Sequence, residues 1–200
     1  LSDLGANIIQ IESGPSATLP AEDRVDTTGA EQFVGGALAA GRDHHVAVCL
    51  LVSPHYFPDW AFRKWPALAC IRGGFVRHAV DALEAKGVQA KHLGALLPLL
   101  RQYPSLHSIC LSNEPVYPDS HEDPVTRGLW LEYLRRTFAD IGAANAAWGT
   151  DYTRFEAVPA SNGEIPEKEA ELPQFYDWCR FNMERFAGWH AWEAGVVHDL

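Results

Sequence analysis

With 200 residues, 47% of them hydrophobic and 21% charged, the chain has the composition of a globular protein large enough to bury one sizeable core, which excludes a disordered or fibrous reading. Its apolar runs all fall short of the about 20 residues that cross a bilayer, so no membrane span is expected. A formal net charge of -10 argues against a nucleic-acid partner, since phosphate binding relies on a basic surface, and leaves neutral or cationic small molecules open.

The chain begins Leu1-Ser2-Asp3, with no initiator Met and no apolar signal segment, and reads as truncated or processed at its start, so localisation does not follow from it. Short apolar runs alternate with longer amphipathic ones, the pattern of βαβ units around a parallel sheet and hence of an α/β fold. The first run, Ala6 to Glu12, is β-branched and closes on Ser13-Gly14-Pro15, which predicts a strand that delivers Glu12 into a polar loop. Residues 29–41 carry Phe33, Val34, Ala37 and Leu38 at helical spacing and predict a helix stopped by Gly41. His45 to Val52 is almost continuously apolar, as in a strand buried on both faces by flanking helices. It empties into a Pro-punctuated aromatic loop, Ser53 to Trp60.

From Val80 to Gln102 the leucines Leu93, Leu96, Leu97 and Leu100 mark one helical face, with Gly87 and Pro98 predicting a bend or two helical pieces. Leu106 to Leu111 predicts a third strand, and Ser112-Asn113-Glu114-Pro115 follows at its C-terminal end. Leu129, Trp130, Tyr133, Leu134 and Phe138 then recur at helical intervals, followed by a short helical piece around Ala143 to Trp148, a Pro- and Glu-rich connector from Val158 to Pro173, and a last helix from about Gln174 to His198. Three strands cannot close a (β/α)8 (TIM) barrel, which needs eight strands and about 250 residues. Residues 1–200 are therefore read as part of one such barrel domain, roughly its second to fourth βα units, truncated at both ends.

In barrels of this kind chemistry sits at the C-terminal ends of the strands, which is where Glu114 falls. Glycosidic bond hydrolysis needs a proton donor for the leaving oxygen and a second carboxylate as nucleophile or base. Glu114 is the candidate donor, because apolar surroundings at a strand end can raise a carboxyl toward operating pH. Asn113 beside it can donate from its amide to a sugar hydroxyl. Alone, Asn-Glu-Pro is also a plain turn after a strand.

The run Leu111-Ser112-Asn113-Glu114-Pro115, the approach through Pro104-Ser105-Leu106 and the Ser53-Pro54-His55 loop together resemble the clan of retaining (β/α)8-barrel glycoside hydrolases, clan A, whose acid/base Glu follows Asn at the end of the fourth strand. Asn145-Ala146-Ala147-Trp148-Gly149-Thr150, followed by Phe155-Glu156-Ala157-Val158-Pro159, is most similar to family 42 β-galactosidases and their relatives. The resemblance implies a β-galactosidase-like glycosidase acting by double displacement, with Glu114 first as acid and then as base, no cofactor, and a carbohydrate as partner. It also implies a nucleophile from the seventh strand, beyond Leu200, so that these residues alone would be inactive. His55, Tyr56, Trp60 and Trp148 are candidate sugar-binding residues beside Asn113, although each aromatic also suits plain packing. Relatives place a sugar-binding Arg in the region of Arg72 and Arg77, without the spacing deciding between them. The loops after the first and second strands depart from the galactosidase pattern, which leaves galactose specificity open.

Glu12 and Asp59 are the other carboxylates at strand ends, and Glu12 reads as a loop or substrate-contact residue rather than a nucleophile. His44, His45, His190 and His198 show no i,i+4 pair with a partner carboxylate, and Cys49, Cys70, Cys110 and Cys179 show no C-x-x-C spacing, so no metal is expected. Cys49 and Cys110, inside apolar runs, read as small buried hydrophobes. A catalytically inactive carbohydrate-binding barrel is the alternative, separable by whether a Glu ends a later strand. Sugar identity, linkage and oligomeric state do not follow from these residues.

Overall fold

The structure, a computed structural model, describes residues 4–69, 76, 78–113, 124–161 and 163–200. The chain forms two compact units. One comprises Leu1–Pro66, Leu83–Pro115 and His190–Leu200, and the other Ala67–Ala82 and Val116–Trp189.

The first unit is built on three parallel strands in the order β1 (Ile8–Ser13), β2 (Ala47–Val52), β3 (Leu106–Cys110). Between β1 and β2 run α1 (Thr28–Ala30), a π-helical turn over Glu31–Gly35, and α2 (Gly36–Asp43). After β2 come α3 (Asp59–Lys64) and the long α4 (Leu83–Leu100), which leads into β3. Side chains alternate across a strand, so Val48, Leu50 and Val52 share one face of β2. That face is fully buried and packs with Ala30, Val34 and Leu38 from the first helices and with Leu93, Leu96, Leu97 and Leu100 from α4. Ala47 and Cys49, on the opposite face, are only half-buried. The prediction of a strand buried on both faces by flanking helices is met on the first face, whereas on the other Leu51 is buried and Ala47 and Cys49 are half-buried. Cys110 is likewise half-buried rather than buried.

Two further expectations change. The helix predicted to stop at Gly41 continues to Asp43, and Gly41 lies inside it. A Cβ there would stand 2.7 Å from the Val46 carbonyl oxygen and 2.9 Å from Val48 Cγ2, so the glycine is there to let the helix lie close to the chain entering β2. Phe33, placed on the apolar face by its spacing, points outward. The π-helical turn rotates the residues around it relative to a regular helix, so 3.6-residue spacing misassigns the face. Of the bend or two pieces allowed by Gly87 and Pro98, two pieces are excluded: α4 runs unbroken with Pro98 inside it. Packing of its leucine stripe against β2 outweighs the single hydrogen bond the proline removes near the helix end.

The second unit contains α5 (Pro124–Thr137), α6 (Ile141–Trp148) and most of α7 (Leu172–Asp199), whose last turns belong to the first unit. Its core gathers Trp130, Tyr133, Leu134, Ala144, Trp148, Val158, Trp178 and Phe181. Trp130 stacks on Tyr133 with ring centroids 5.4 Å apart and meets Trp178 edge-on at 5.2 Å, the two geometries aromatic pairs favour. Asp140 caps α6 by accepting from the Ala143 amide at 2.8 Å, and Gly149 ends it at φ 72°, a left-handed conformation that suits glycine. Asn145 holds the following turn, donating to the Tyr152 carbonyl at 2.8 Å and accepting from the Thr150 hydroxyl at 2.8 Å. Arg127 then binds the carbonyls of Val158 (2.6 Å) and Glu156 (2.7 Å). The two most distinctive stretches of sequence, Asn145 to Thr150 and Phe155 to Pro159, are thus used here to end a helix and fasten the chain that follows. Among the described residues no helix is long and apolar enough to cross a membrane.

Candidate active site

The C-terminal ends of the three strands lie side by side, because parallel pairing puts Ser13 opposite Val52 and Cys110 opposite Leu51. Glu12 ends the exposed face of β1, and the loops after β1 and β2 are locked together behind it. The Ser16 amide donates to the Tyr56 carbonyl at 2.8 Å and the Ser53 amide to the Ser13 carbonyl at 3.2 Å. Gly14 makes this approach possible, since a Cβ there would lie 2.8 Å from both the Ser53 carbonyl oxygen and Tyr56 Cβ. Closure of the two loops brings the Tyr56 hydroxyl to Glu12, to which it donates at 2.7 Å. That hydrogen bond, with the carboxylate charge behind it, holds the Tyr56 phenol above its ordinary pKa. Both side chains are exposed and can present oxygens to a ligand.

His55 sits between this pair and the end of β3. Its Nδ1 shares a short hydrogen bond with Ser53 Oγ, and the Ser53 hydroxyl also accepts from the His55 amide at 3.2 Å. Burial lowers the His55 pKa, opposed by the Glu12 charge and by the Asn113 backbone, so the ring is neutral at neutral pH. A neutral imidazole here orders the rim and offers hydrogen bonds without adding positive charge. Asn113 is half-buried just beyond β3.

Of the residues singled out from the sequence, the structure brings His55, Tyr56 and Asn113 together, with Glu12 as a fourth member. Trp60 lies nearby in α3, but its indole N–H donates to the Leu19 carbonyl at 2.8 Å and its ring tilts against Trp65, so it fastens the loop after β1. Trp148 belongs to the second unit: it is 3% exposed, its indole donates to Asp177 at 2.7 Å, and Phe138 meets it edge-on. That is an anchoring role. Glu114, Arg72 and Arg77 lie outside the described residues. Among the described residues no group of three or more His, Cys, Asp or Glu is gathered as a metal would require.

Sequence reasoning missed the polar layer beneath the rim. Buried His92 of α4 shares a 2.8 Å hydrogen bond with the Thr18 hydroxyl, and burial pushes its pKa down to about 4. One turn earlier, Gln89 donates to the Val52 carbonyl at 3.2 Å and to Glu193 at 2.6 Å. From α7, His190 Nε2 meets Ser112 Oγ at 2.7 Å. Spacing carried a signal for Glu193, which stands four residues after Trp189 and three before Val196, on an apolar stripe of the helix.

No protein-family model matches the sequence, and no curated protein matches it. Solved structures do. The β-galactosidase from Rahnella sp. R3 superposes with a TM-score of 0.75 at 18% identity over 96% of this chain and 29% of its own. A family 42 exo-carrageenase from Bacteroides ovatus gives 0.72 at 18% identity over 96% and 27%, and the β-galactosidase from Halorubrum lacusprofundi 0.73 at 14% identity over 99% and 31%. The fold is that of a partial (β/α)8 barrel. The chain spans less than a third of the length of these structures. In such a barrel the half-buried face of β2, bearing Ala47 and Cys49, lines the interior, while the face bearing Val48, Leu50 and Val52 meets the helices. Glu12, His55, Tyr56 and Asn113 stand at the end of the barrel where such folds place their chemistry.

Proposed function

We propose that residues 1–200 are part of the catalytic barrel of a retaining, β-galactosidase-like glycoside hydrolase, with Glu114 as general acid/base and the nucleophilic carboxylate on a later strand outside these residues. The observation that carries the reading is the convergence of Glu12, Tyr56, His55 and Asn113 at the C-terminal ends of neighbouring parallel strands, with Glu114 next in sequence. In the first step Glu114 gives its proton to the glycosidic oxygen as the bond to the anomeric carbon breaks and the nucleophile takes that carbon. In the second it removes a proton from the water that releases the sugar. Asn113, Glu12, His55 and Tyr56 supply hydrogen bonds that orient the sugar hydroxyls. Both β-galactosidases and an exo-carrageenase are among the structural neighbours, so the fold admits more than one sugar substrate.

The test is Glu114→Gln in the full-length protein, assayed on aryl β-glycosides. Turnover should fall on the order of 10²- to 10⁴-fold, the usual worth of a general acid/base. Azide should restore release of an activated phenol by Glu114→Ala, because this small anion attacks the glycosyl-enzyme without needing a base. Undiminished turnover in Glu114→Gln would remove the assignment. A wild-type protein that binds sugars and hydrolyses none would instead be the inactive binding barrel.

A further inference from the structure

The residues just before Glu114 are held at more points than a strand end requires. Ser112 and Asn113 follow β3, past the last paired residue, Cys110. Backbone there has left the sheet ladder and needs other partners to keep one conformation. It finds several. Cys110 Sγ donates to the Ser112 carbonyl at 3.3 Å. Asn113 lies beside the ring of His55, which is itself fastened to Ser53. Ser112 Oγ meets His190 Nε2 at 2.7 Å, 78 residues away in sequence, and this tie is the only one of the three that reaches a helix.

The helix end that carries His190 is itself fixed. Val196, Val197 and Leu200 pack on the core of the first unit, and Glu193, one turn beyond His190, is joined through Gln89 to the carbonyl of Val52. His190 therefore stands on a helix end that packs on the core of the first unit and is tied to the end of β2. We propose that His190 is a positioning residue, which through Ser112 sets the backbone from which Asn113 and Glu114 follow, and so sets the aim of the acid at the leaving-group oxygen. This rests on the glycosidase reading. A general acid helps only when its proton lies along the line to the oxygen, and displacements near 1 Å cost on the order of 10²-fold in rate.

The role differs from mere stabilisation in which substrates it affects. A poor leaving group, such as an alkoxide or a methylphenolate, needs protonation as the bond breaks, whereas dinitrophenolate leaves without it. Since kcat/KM reports only steps up to release of that group, a misaimed acid should lower it for the first kind of substrate and spare the second. The experiment compares His190→Ala, Ser112→Ala and the double variant of the full-length protein on methylphenyl and dinitrophenyl β-glycosides. We expect each single variant to lose on the order of 10- to 100-fold in kcat/KM on the poor leaving group, and less than about 3-fold on the activated one. The double variant should be no worse than either single one, because both remove the same tie. His190→Gln, whose amide offers Ser112 Oγ either a donor or an acceptor, should recover much of the loss.

Equal losses on the two substrates, additive losses in the double variant, or no loss in Ser112→Ala, which removes a single hydroxyl and leaves the fold intact, would each overturn the positioning role. Failure of the wild type to hydrolyse either substrate would overturn the glycosidase reading itself, and the two failures are thereby distinguished.

Discussion

Glu193 offers the sharpest test of the packing described above. It is fully buried, one of its oxygens accepts from Gln89 at 2.6 Å, and the other meets no partner among the described residues. Burial raises its pKa from 4.5 to about 8, with the Gln89 hydrogen bond opposing the rise. It is therefore a neutral acid at neutral pH. The folded protein holds this proton between pH 4.5 and about 8 and the unfolded chain does not, so the stability it contributes is complete below 4.5 and is lost as pH rises through 8. Each unit of pH in that window costs about 1.4 kcal/mol, which amounts to roughly 3 kcal/mol by pH 7 and roughly 5 by pH 9. A typical domain has only about 5–15 kcal/mol in total.

Glu193→Gln keeps the size and the acceptor for Gln89 and removes the titration. Urea unfolding followed by Trp fluorescence should find the variant close to wild type at pH 5 and more stable by roughly 4–5 kcal/mol at pH 9. Buried His92 titrates in the opposite sense: its pKa is lowered from 6.5 to about 4, so its contribution is complete above 6.5 and lost as pH falls. Both proteins carry His92, and their difference isolates Glu193. Parallel stability curves from pH 5 to 9 would refute the reasoning, because they would mean the carboxyl either reaches water or finds a cation.

In the second unit, Arg185 makes a buried two-pronged pair with Asp81 at 2.5 and 2.7 Å and also donates to the Thr126 hydroxyl at 2.5 Å. Asp81→Ala takes the carboxylate from a buried guanidinium and should cost about 3–5 kcal/mol in the same unfolding assay, against under about 1 kcal/mol for removal of an exposed pair such as Arg136 with Glu184. Gly14→Ala drives a methyl into Ser53 and Tyr56 and should destabilise by about 1–3 kcal/mol, whereas Tyr56→Phe, which removes only an exposed hydroxyl, should stay within about 0.5 kcal/mol of wild type. A Gly14→Ala protein as stable as wild type would show that the two rim loops are not in contact.

The α/β class, three strands with helices between them, and the placement of Asn113 at a strand end were legible in the sequence, because alternating short and long apolar periods record which backbone geometry buries which side chains. So was the nearness of His55 and Tyr56 to Asn113, since successive parallel strands put their ends at one side. Periodicity could not reveal the unequal faces of β2: a strand between helices and a barrel interior is apolar on both sides, and Cys49 reads the same either way. Nor could it show that Gly41 serves helix-to-strand contact rather than a helix end, which depends on where Val46 comes to lie. The Asn145 to Thr150 stretch was conspicuous by wording, while its use as a helix stop is a matter of hydrogen bonds among Asn145, Thr150 and Tyr152. The ties of Ser112 to His190, Thr18 to His92 and Gln89 to Glu193 join residues 74 to 104 positions apart. Local sequence carries no record of such pairs, because a buried polar group finds its partner only when packing has brought the elements together.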